Sequence, residues 1–306
     1  MLITAVIPTR NRPEDLERAV LSVCAQIRLP DELMVIDQSP GDESRMRVLG
    51  AVERAGGRLH VTYVHDAGIA GLVAAKNVAA SRAQGDVVCF LEDDIVLEPE
   101  YVEEMERAFA GNPQLIGCCG VVVDMPRLPR FYVRLHHLFH RGLFHDTRLA
   151  VYADLAAAGD GLVPSDYMSG GASAYRREVF AAVPFDVENA FFMLEDIDFS
   201  TRVVAAFGPR LCINPRARLD HRMSPVNRTM LGVRQARKLR EFVVFYKKHR
   251  GGRARARDFA LLLTGLFLEA VYQAGQSRRA GPVVGYFAGL WRGLRWRMQP
   301  SPPRAT

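Results

Sequence analysis

The chain has 306 residues, 49% of them hydrophobic, which is enough for a sizeable core in one large domain or one domain plus an appendage. Its five cysteines (Cys24, Cys89, Cys118, Cys119 and Cys212) form no C-x-x-C pair, which excludes the commonest zinc and redox spacing and fits small core residues in a reducing cytoplasm. The net charge of +6 is unevenly divided: from Val226 onward seventeen Lys and Arg face three acids, giving a tail of +14 and a body of −8, so the tail is expected to meet an anionic surface.

The start, MLITAVIP, has neither a basic n-region nor a small-residue cleavage site, and no signal peptide is expected. Leu2–Pro8 is a short apolar run of the kind that forms a buried parallel strand. A helix follows. Pro13 suits its first turn, Glu14 and Asp15 suit the positive end of its dipole, and Leu16, Val20 and Val23 share a face. The pattern then repeats, with strands predicted at Glu32–Asp37, Leu59–Val64, Asp86–Leu91 and Leu115–Val123. Helices are predicted at Glu43–Ala55, Leu72–Arg82 and Pro99–Ala110. Such alternation implies an α/β fold: a mostly parallel sheet with helices on both faces and ligands at the carboxyl ends of the strands.

Met125 to Asp166 is rich in His, Arg and aromatics and shows no regular period. A helix is expected at Asp196–Phe207, then a short strand pair ending at Asp220-His221. The chain divides at residue 225 into an α/β domain (1–225) and a basic, apolar helical region (226–306). In the latter, Phe259–Leu268 and Pro282–Trp291 are apolar but shorter than the roughly 20 residues a membrane span needs. Edged by arginines and by Trp291 and Trp296, they suit attachment at the interface of an anionic membrane. Nucleic acid, the competing anionic partner, is not expected, because no nucleic-acid fold signature is present and the apolar runs favour lipid.

Four predicted strands deliver polar residues to one sheet edge: Thr9-Arg10, Asp37, Asp66 and the triplet Glu92-Asp93-Asp94. Adjacent acids at a strand end are commonly solvated turn residues. At a crevice edge, three mutually repelling carboxylates instead suit Mg²⁺ or Mn²⁺, which take hard oxygen ligands and phosphate oxygens. Glu195-Asp196, at a helix start, has a cap-and-dipole reading and a functional one. The Ser169-Gly170-Gly171 stretch reads as a turn on composition alone. His136 and His140 have i,i+4 spacing, but no H-E-x-x-H frame contains them. With His137 and His145 they read as part of an acceptor-side or membrane-side loop rather than a zinc site.

In order and spacing, VIPTRNRP, VIDQS, GIAGLVAAKNVAA, FLEDD and LEDIDFS resemble the family 2 glycosyltransferases over roughly residues 3 to 222. Those are inverting enzymes of GT-A fold that use nucleotide-sugar donors. The resemblance implies that Pro8, Thr9 and Arg10 lie against the nucleoside, and that Asp37 and Asp66 hydrogen-bond its base or ribose. It sets Lys76 and Asn77 near the diphosphate, where the family usually has Arg-Asn. Glu92 and Asp94 match the family's Asp-x-Asp metal signature, with Asp93 between them; Glu92 departs from the usual Asp by one methylene. Asp196 is implied as the catalytic base, Glu195 as an acceptor-binding neighbour, and Gly170 and Gly171 as the close approach to sugar and acceptor. His221 is implied as a further metal ligand, and Asp198 is expected to face solvent or cap its helix.

The expected activity is therefore metal-assisted, inverting transfer from a nucleotide-diphosphate sugar to a hydroxyl of a glycan or lipid-linked acceptor, at the cytoplasmic face of the cell membrane. A nucleotidyltransferase of related sheet is disfavoured, because no Gly-rich loop follows the first strand. An inactive nucleotide-sugar binding module is left open by Glu92 and Lys76 and opposed by Glu195-Asp196.

Overall fold

A computed structural model of the chain describes residues 1–124, 129–189, 191–224, 230–252 and 254–298. The amino-terminal half alternates β1 (Ile3–Thr9), α1 (Pro13–Cys24), β2 (Glu32–Asp37), α2 (Glu43–Arg54), β3 (Val61–His65), α3 (Leu72–Arg82) and β4 (Val87–Leu91). Then come β5 (Ile95–Leu97), α4 (Tyr101–Gly111) and β6 (Gly117–Val122). All the strands join one sheet in the order β3-β2-β1-β4-β8-β6-β9-β5, in which β8 is Ala172–Arg176 and β9 is Leu211–His221. A two-residue β7 (Val163–Pro164) pairs with β9. β1, β2, β3 and β4 are parallel, as are β6 and β9, whereas β8 runs antiparallel between β4 and β6, and β5 antiparallel to β9.

The strand period explains the layers. Val87, Cys89 and Leu91 of β4 join the core beneath α1, α2 and α4, while Val88 and Phe90 point into the opposite core, shared with α3 and α9 (Glu195–Phe207). A strand buried on both faces shows no polar alternation, which is why β1, β2 and β4 read as plain apolar runs.

Three elements differ from expectation. β5 is only three residues long and was not anticipated. β9 is one strand of eleven residues rather than a short pair, its register broken by an irregularity opposite β6. Much of the aperiodic segment is helical: α5 (Arg130–Phe139), a 3₁₀ turn at Gly142–Phe144, α6 (Arg148–Ala153) and α7 (Leu155–Ala158). Next to it, α8 (Glu178–Ala182) follows β8.

The expected domain boundary at residue 225 lies outside the described residues. Beyond it, α10 (Leu231–His249), α11 (Ala256–Ser277) and α12 (Gly281–Arg295) build a third core. That core takes Leu143, Phe144, Phe191 and Leu194 from the α/β body, so the tail is packed against the body rather than appended to it. α12 lies almost in backbone contact with α10. A Cβ added at Gly285 would collide with the Gly232 carbonyl, and one at Gly289 with the Ala236 carbonyl.

Candidate active site

The carboxyl end of β4 sets the site. Leu91 pairs with Ala172 of β8, and the Glu92 amide donates to the Gly171 carbonyl at 3.2 Å, which seats the acid triplet beside the glycine pair. Ile95 of β5 pairs with His221 at the end of β9, bringing that imidazole to the same edge.

His221 Nε2 lies 3.2 Å from Glu92 Oε2 and 3.1 Å from Asp94 Oδ1, and Asp94 Oδ2 accepts from the Ser224 amide at 2.9 Å. The hydrogen bond to Asp94 raises the His221 pKa against the opposing effect of burial, and Glu92 adds to the rise. Burial works to raise Asp94 as well, but His221 and the Ser224 amide outweigh it and hold its carboxyl below the ordinary range. Glu92 moves the other way: burial pushes its carboxyl up, only partly offset by His221. Among the described residues these three form the one group of such side chains close enough to hold a metal, their ligand atoms all within 4.8 Å of one another. Two carboxylates favour Mg²⁺ or Mn²⁺, and the imidazole completes a mixed O,O,N set. The donor set thus fits a divalent cation.

Asp93, between them in sequence, turns the opposite way. It accepts from Thr9 Oγ1 at 2.8 Å and from Arg12 Nη1 at 2.9 Å, locking the end of β1 to the end of β4. Burial pushes its carboxyl up to about 6, with Arg12 and Thr9 pulling it back.

On the other side, Lys76 is buried, its Nζ 2.7 Å from Glu195 Oε1 and 2.8 Å from the Gly170 carbonyl. Burial raises the Glu195 carboxyl, and Lys76 pulls it down. Among the described residues, Glu195 Oε2 is buried with no hydrogen-bond partner. Asp196 Oδ2 accepts from Arg148 Nη1 at 2.7 Å, and Oδ1 accepts from the Ile197 amide at 2.8 Å. Arg148 is itself held by Asp146 at 2.9 Å and by the Met168 carbonyl at 2.6 Å. Both glycines are sterically required: a Cβ at Gly170 would strike Glu195 Oε1, and one at Gly171 would strike the Glu92 side chain.

Part of this set lines one cleft of about 250 Å³, with Asp94 behind it on His221. Glu92 and His221 line one part, Gly170 and Gly171 another, and Phe192, Met193, Glu195 and Asp196 the rest.

Other expected residues sit apart from it. Asp37 is fully buried, accepting from the Ser39 amide at 2.8 Å and from the Tyr63 hydroxyl at 2.6 Å. Pro8 is buried in β1, while Arg10 and Asp66 are exposed, and Asp66 closes a turn on the Gly68 amide at 2.8 Å. Asn77 is engaged within the protein. Both ends of its amide are taken by the Phe185 backbone, at 2.9 and 2.8 Å, so it clasps two segments of the body, and it is not among the residues lining the cleft. Asp198 is corrected: it is 1% exposed and neither faces solvent nor caps α9. Lys248 (2.7 Å), Arg202 (2.8 Å) and His249 (3.1 Å) converge on it, which makes burial of its charge tolerable. His136, His137, His140 and His145 form no metal cluster among the described residues; His136 stacks on His140 at 3.5 Å between ring centroids.

Arg12, Arg148 and Glu241 carry much of this geometry and were not anticipated. Glu241, fully buried on α10, accepts from the amides of Phe192 (3.1 Å), Met193 (2.7 Å) and Leu194 (3.1 Å), the three residues before Glu195. From another helix, it anchors the segment that leads into α9. Its signal in the sequence was its isolation, since it is the sole acid of a strongly basic helix.

The family model described as "Glycosyl transferase family 2" matches residues 4–183. The chain is 30% identical over 122 residues to validoxylamine A glucosyltransferase of Streptomyces hygroscopicus subsp. limoneus, a match covering 39% of this chain and 26% of that protein. It is 23% identical over 235 residues to the glucosyl-dolichyl phosphate glucuronosyltransferase of Haloferax volcanii, covering 73% of this chain and 70% of that protein. In fold it is similar to the mannosyltransferase PcManGT of Pyrobaculum calidifontis, solved with GDP-Man and Mn²⁺, at a TM-score of 0.63 and 17% identity over 96% of this chain and 87% of that one. S. aureus TarS gives a TM-score of 0.56 at 15% identity, over 90% of this chain and 74% of that one. The sheet with its helical layers is a GT-A fold, and the chain belongs to glycosyltransferase family 2.

Proposed function

We propose that the chain transfers a sugar from a nucleotide-diphosphate donor to a hydroxyl of a glycan or lipid-linked acceptor, with inversion, in one displacement. The observation that carries this is one cleft lined by Glu92 and His221, which stand with Asp94 close enough to hold a cation, and by the Glu195-Asp196 pair. Glu92, Asp94 and His221 would hold Mn²⁺ or Mg²⁺, which when bound stabilises the charge growing on the departing diphosphate.

In the displacement the acceptor oxygen bonds to the anomeric carbon. The bond from that carbon to the phosphate oxygen breaks, and its electron pair leaves with the nucleoside diphosphate. The acceptor's proton passes to the Asp196 carboxylate as general base. Arg148 and the Ile197 amide fix that carboxylate, and each carboxylate oxygen keeps a second lone pair for the incoming proton. Glu195 Oε2, buried and unpaired among the described residues, is the acceptor atom left for a substrate hydroxyl. Lys76 holds Glu195 and the Gly170 carbonyl in register rather than standing free toward the diphosphate. The setting belongs to the same proposal: the +14 tail favours the cytoplasmic face of an anionic membrane, although no helix among the described residues is long and apolar enough to cross one.

The test is a panel of UDP-, GDP- and dTDP-sugars with Mn²⁺, with the products identified. Release of a nucleoside diphosphate, lost on EDTA treatment, is expected. Pyrophosphate released from a nucleoside triphosphate would instead favour a nucleotidyltransferase.

A further inference from the structure

We propose that the outward faces of α5, α11 and α12 form one surface that docks on an anionic lipid bilayer. This deepens the membrane setting above and rests on that reading for its purpose, while its geometry stands apart from the active site.

α11 is apolar on two sides. Leu262, Leu266 and Ala270 are buried in the third core, yet Leu268, Val271 and Tyr272 face out, Tyr272 with 66% of its surface exposed. A helix of a water-soluble body ordinarily turns polar residues outward. α12 repeats the arrangement. Its Gly285, Gly289 and Gly293 lie against α10, and the opposite stripe of Val284, Phe287, Trp291 and Leu294 is exposed, Phe287 at 56% and Trp291 at 55%. α5, over a hundred residues earlier, adds Phe131 at 76%, with Tyr132, Leu135 and Leu138 on the same side.

The three helices adjoin. Phe139 of α5 packs so closely on Gly265 of α11 that a Cβ there would collide with it. Phe267 of α11 meets Phe287 of α12 with ring centroids 6.0 Å apart. The sequence alone pointed to Phe259–Leu268 and Pro282–Trp291. Part of each is consumed by packing, and the exposed surface includes a helix from the α/β body.

Charge selects the occupant. Arg278 and Arg279 stand at the turn from α11 to α12, Arg292 and Arg295 are exposed on α12, and Arg134 is exposed on α5. Arg295 lies over the Trp291 ring at 4.2 Å. The acids of these helices are neutralised or hidden: Glu269 pairs with Lys238 at 2.7 Å, and Asp258 is buried. In a symmetric pairing of two copies this face would meet itself and set arginine against arginine. Anionic headgroups neutralise those cations, while the apolar side chains and tryptophan seat at the acyl boundary.

Trp291 and Trp296 are the only tryptophans, so the surface carries its own reporter. The full chain, without donor or metal, is titrated with phosphatidylglycerol-containing vesicles and with phosphatidylcholine vesicles. Tryptophan emission and flotation are followed. A blue shift and flotation with the anionic vesicles are expected, with Trp291→Phe removing most of the shift but not the binding. The pair Arg292→Gln and Arg295→Gln is expected to weaken anionic binding roughly thirtyfold. Phe131→Ser with Leu135→Ser, outside the tail, is expected to weaken it as well. All of these side chains are exposed, and circular dichroism verifies the fold of each variant. Three results would overturn the proposal: no binding to anionic vesicles, undiminished binding by the α5 variant, or a dimer in solution with Trp291 already shielded without lipid. Because no sugar is used, failure here is separate from failure of glycosyl transfer.

Discussion

At the residue scale, two adjacent carboxylates have separate work. Glu195 is bound to Lys76, which also holds the Gly170 carbonyl, whereas Asp196 is held by Arg148. Asp196→Asn keeps the shape and the Arg148 contact but cannot take the proton. Turnover is expected to fall by about 10²–10⁴-fold, the usual worth of a general base, with nucleotide and metal binding unchanged. Steady-state rates beside calorimetry of nucleoside diphosphate with Mn²⁺ check this, and near-normal turnover would move the base elsewhere. Gly171→Ala should act on the other half of the site, since its Cβ would occupy the place of the Glu92 side chain. Metal affinity is expected to fall while the melting temperature changes little; an unchanged affinity for Mn²⁺ would remove Glu92 from the ligand set.

At the element scale, α10 holds the segment that leads into α9. Replacing Glu241 by Ala leaves the amides of Phe192, Met193 and Leu194 without their partner, at about 1–3 kcal/mol for a buried unsatisfied group. Urea denaturation should show that loss, and hydrogen exchange should rise first at residues 192–194. Exchange there unchanged from the parent would mean that Glu241 does not hold the segment. One turn into α9, Asp198 provides the second tie. Burial works to raise its carboxyl, but His249, Arg202 and Lys248 outweigh it and hold it far below the ordinary range. Its folded pKa is depressed. Its stabilisation is therefore present above the unfolded value of about 4 and is lost as pH falls below it. Asp198→Asn is expected to cost about 3–5 kcal/mol at neutral pH, as for breaking a buried pair, and to flatten the acid limb of stability against pH. Denaturation midpoints at pH 7 and pH 3 measure both effects, and an acid limb as steep as the parent's would count against the assignment.

At the scale of the whole molecule, legibility followed locality. β1, β2 and β4 were readable because a strand covered on both faces must be apolar throughout. The acid triplet was readable because three like charges at a strand end need a reason. β5 was too short to register. α5 to α7 were hidden because their order depends on distant partners, as in Phe144 packing on Phe242, Phe245 and Phe259 from the tail. Arg148 and Glu241 were missed for the same cause: each acts on a segment about fifty residues away, and no spacing rule connects them. Asn77, set near the diphosphate by resemblance, is turned by tertiary packing into a clasp on Phe185.

Transfer as proposed requires that Glu92, Asp94 and His221 hold a cation that in turn holds a diphosphate. Calorimetric titration of the full chain with UDP, GDP and dTDP, with and without Mn²⁺, tests this most directly. At least one of the three should bind only when Mn²⁺ is present. Asp94→Asn should weaken that binding by at least about 100-fold, beyond the 10–100-fold typical of losing an outer-shell partner, while Asp196→Asn leaves it intact. Binding that ignores Mn²⁺, or that survives Asp94→Asn unchanged, would contradict the account.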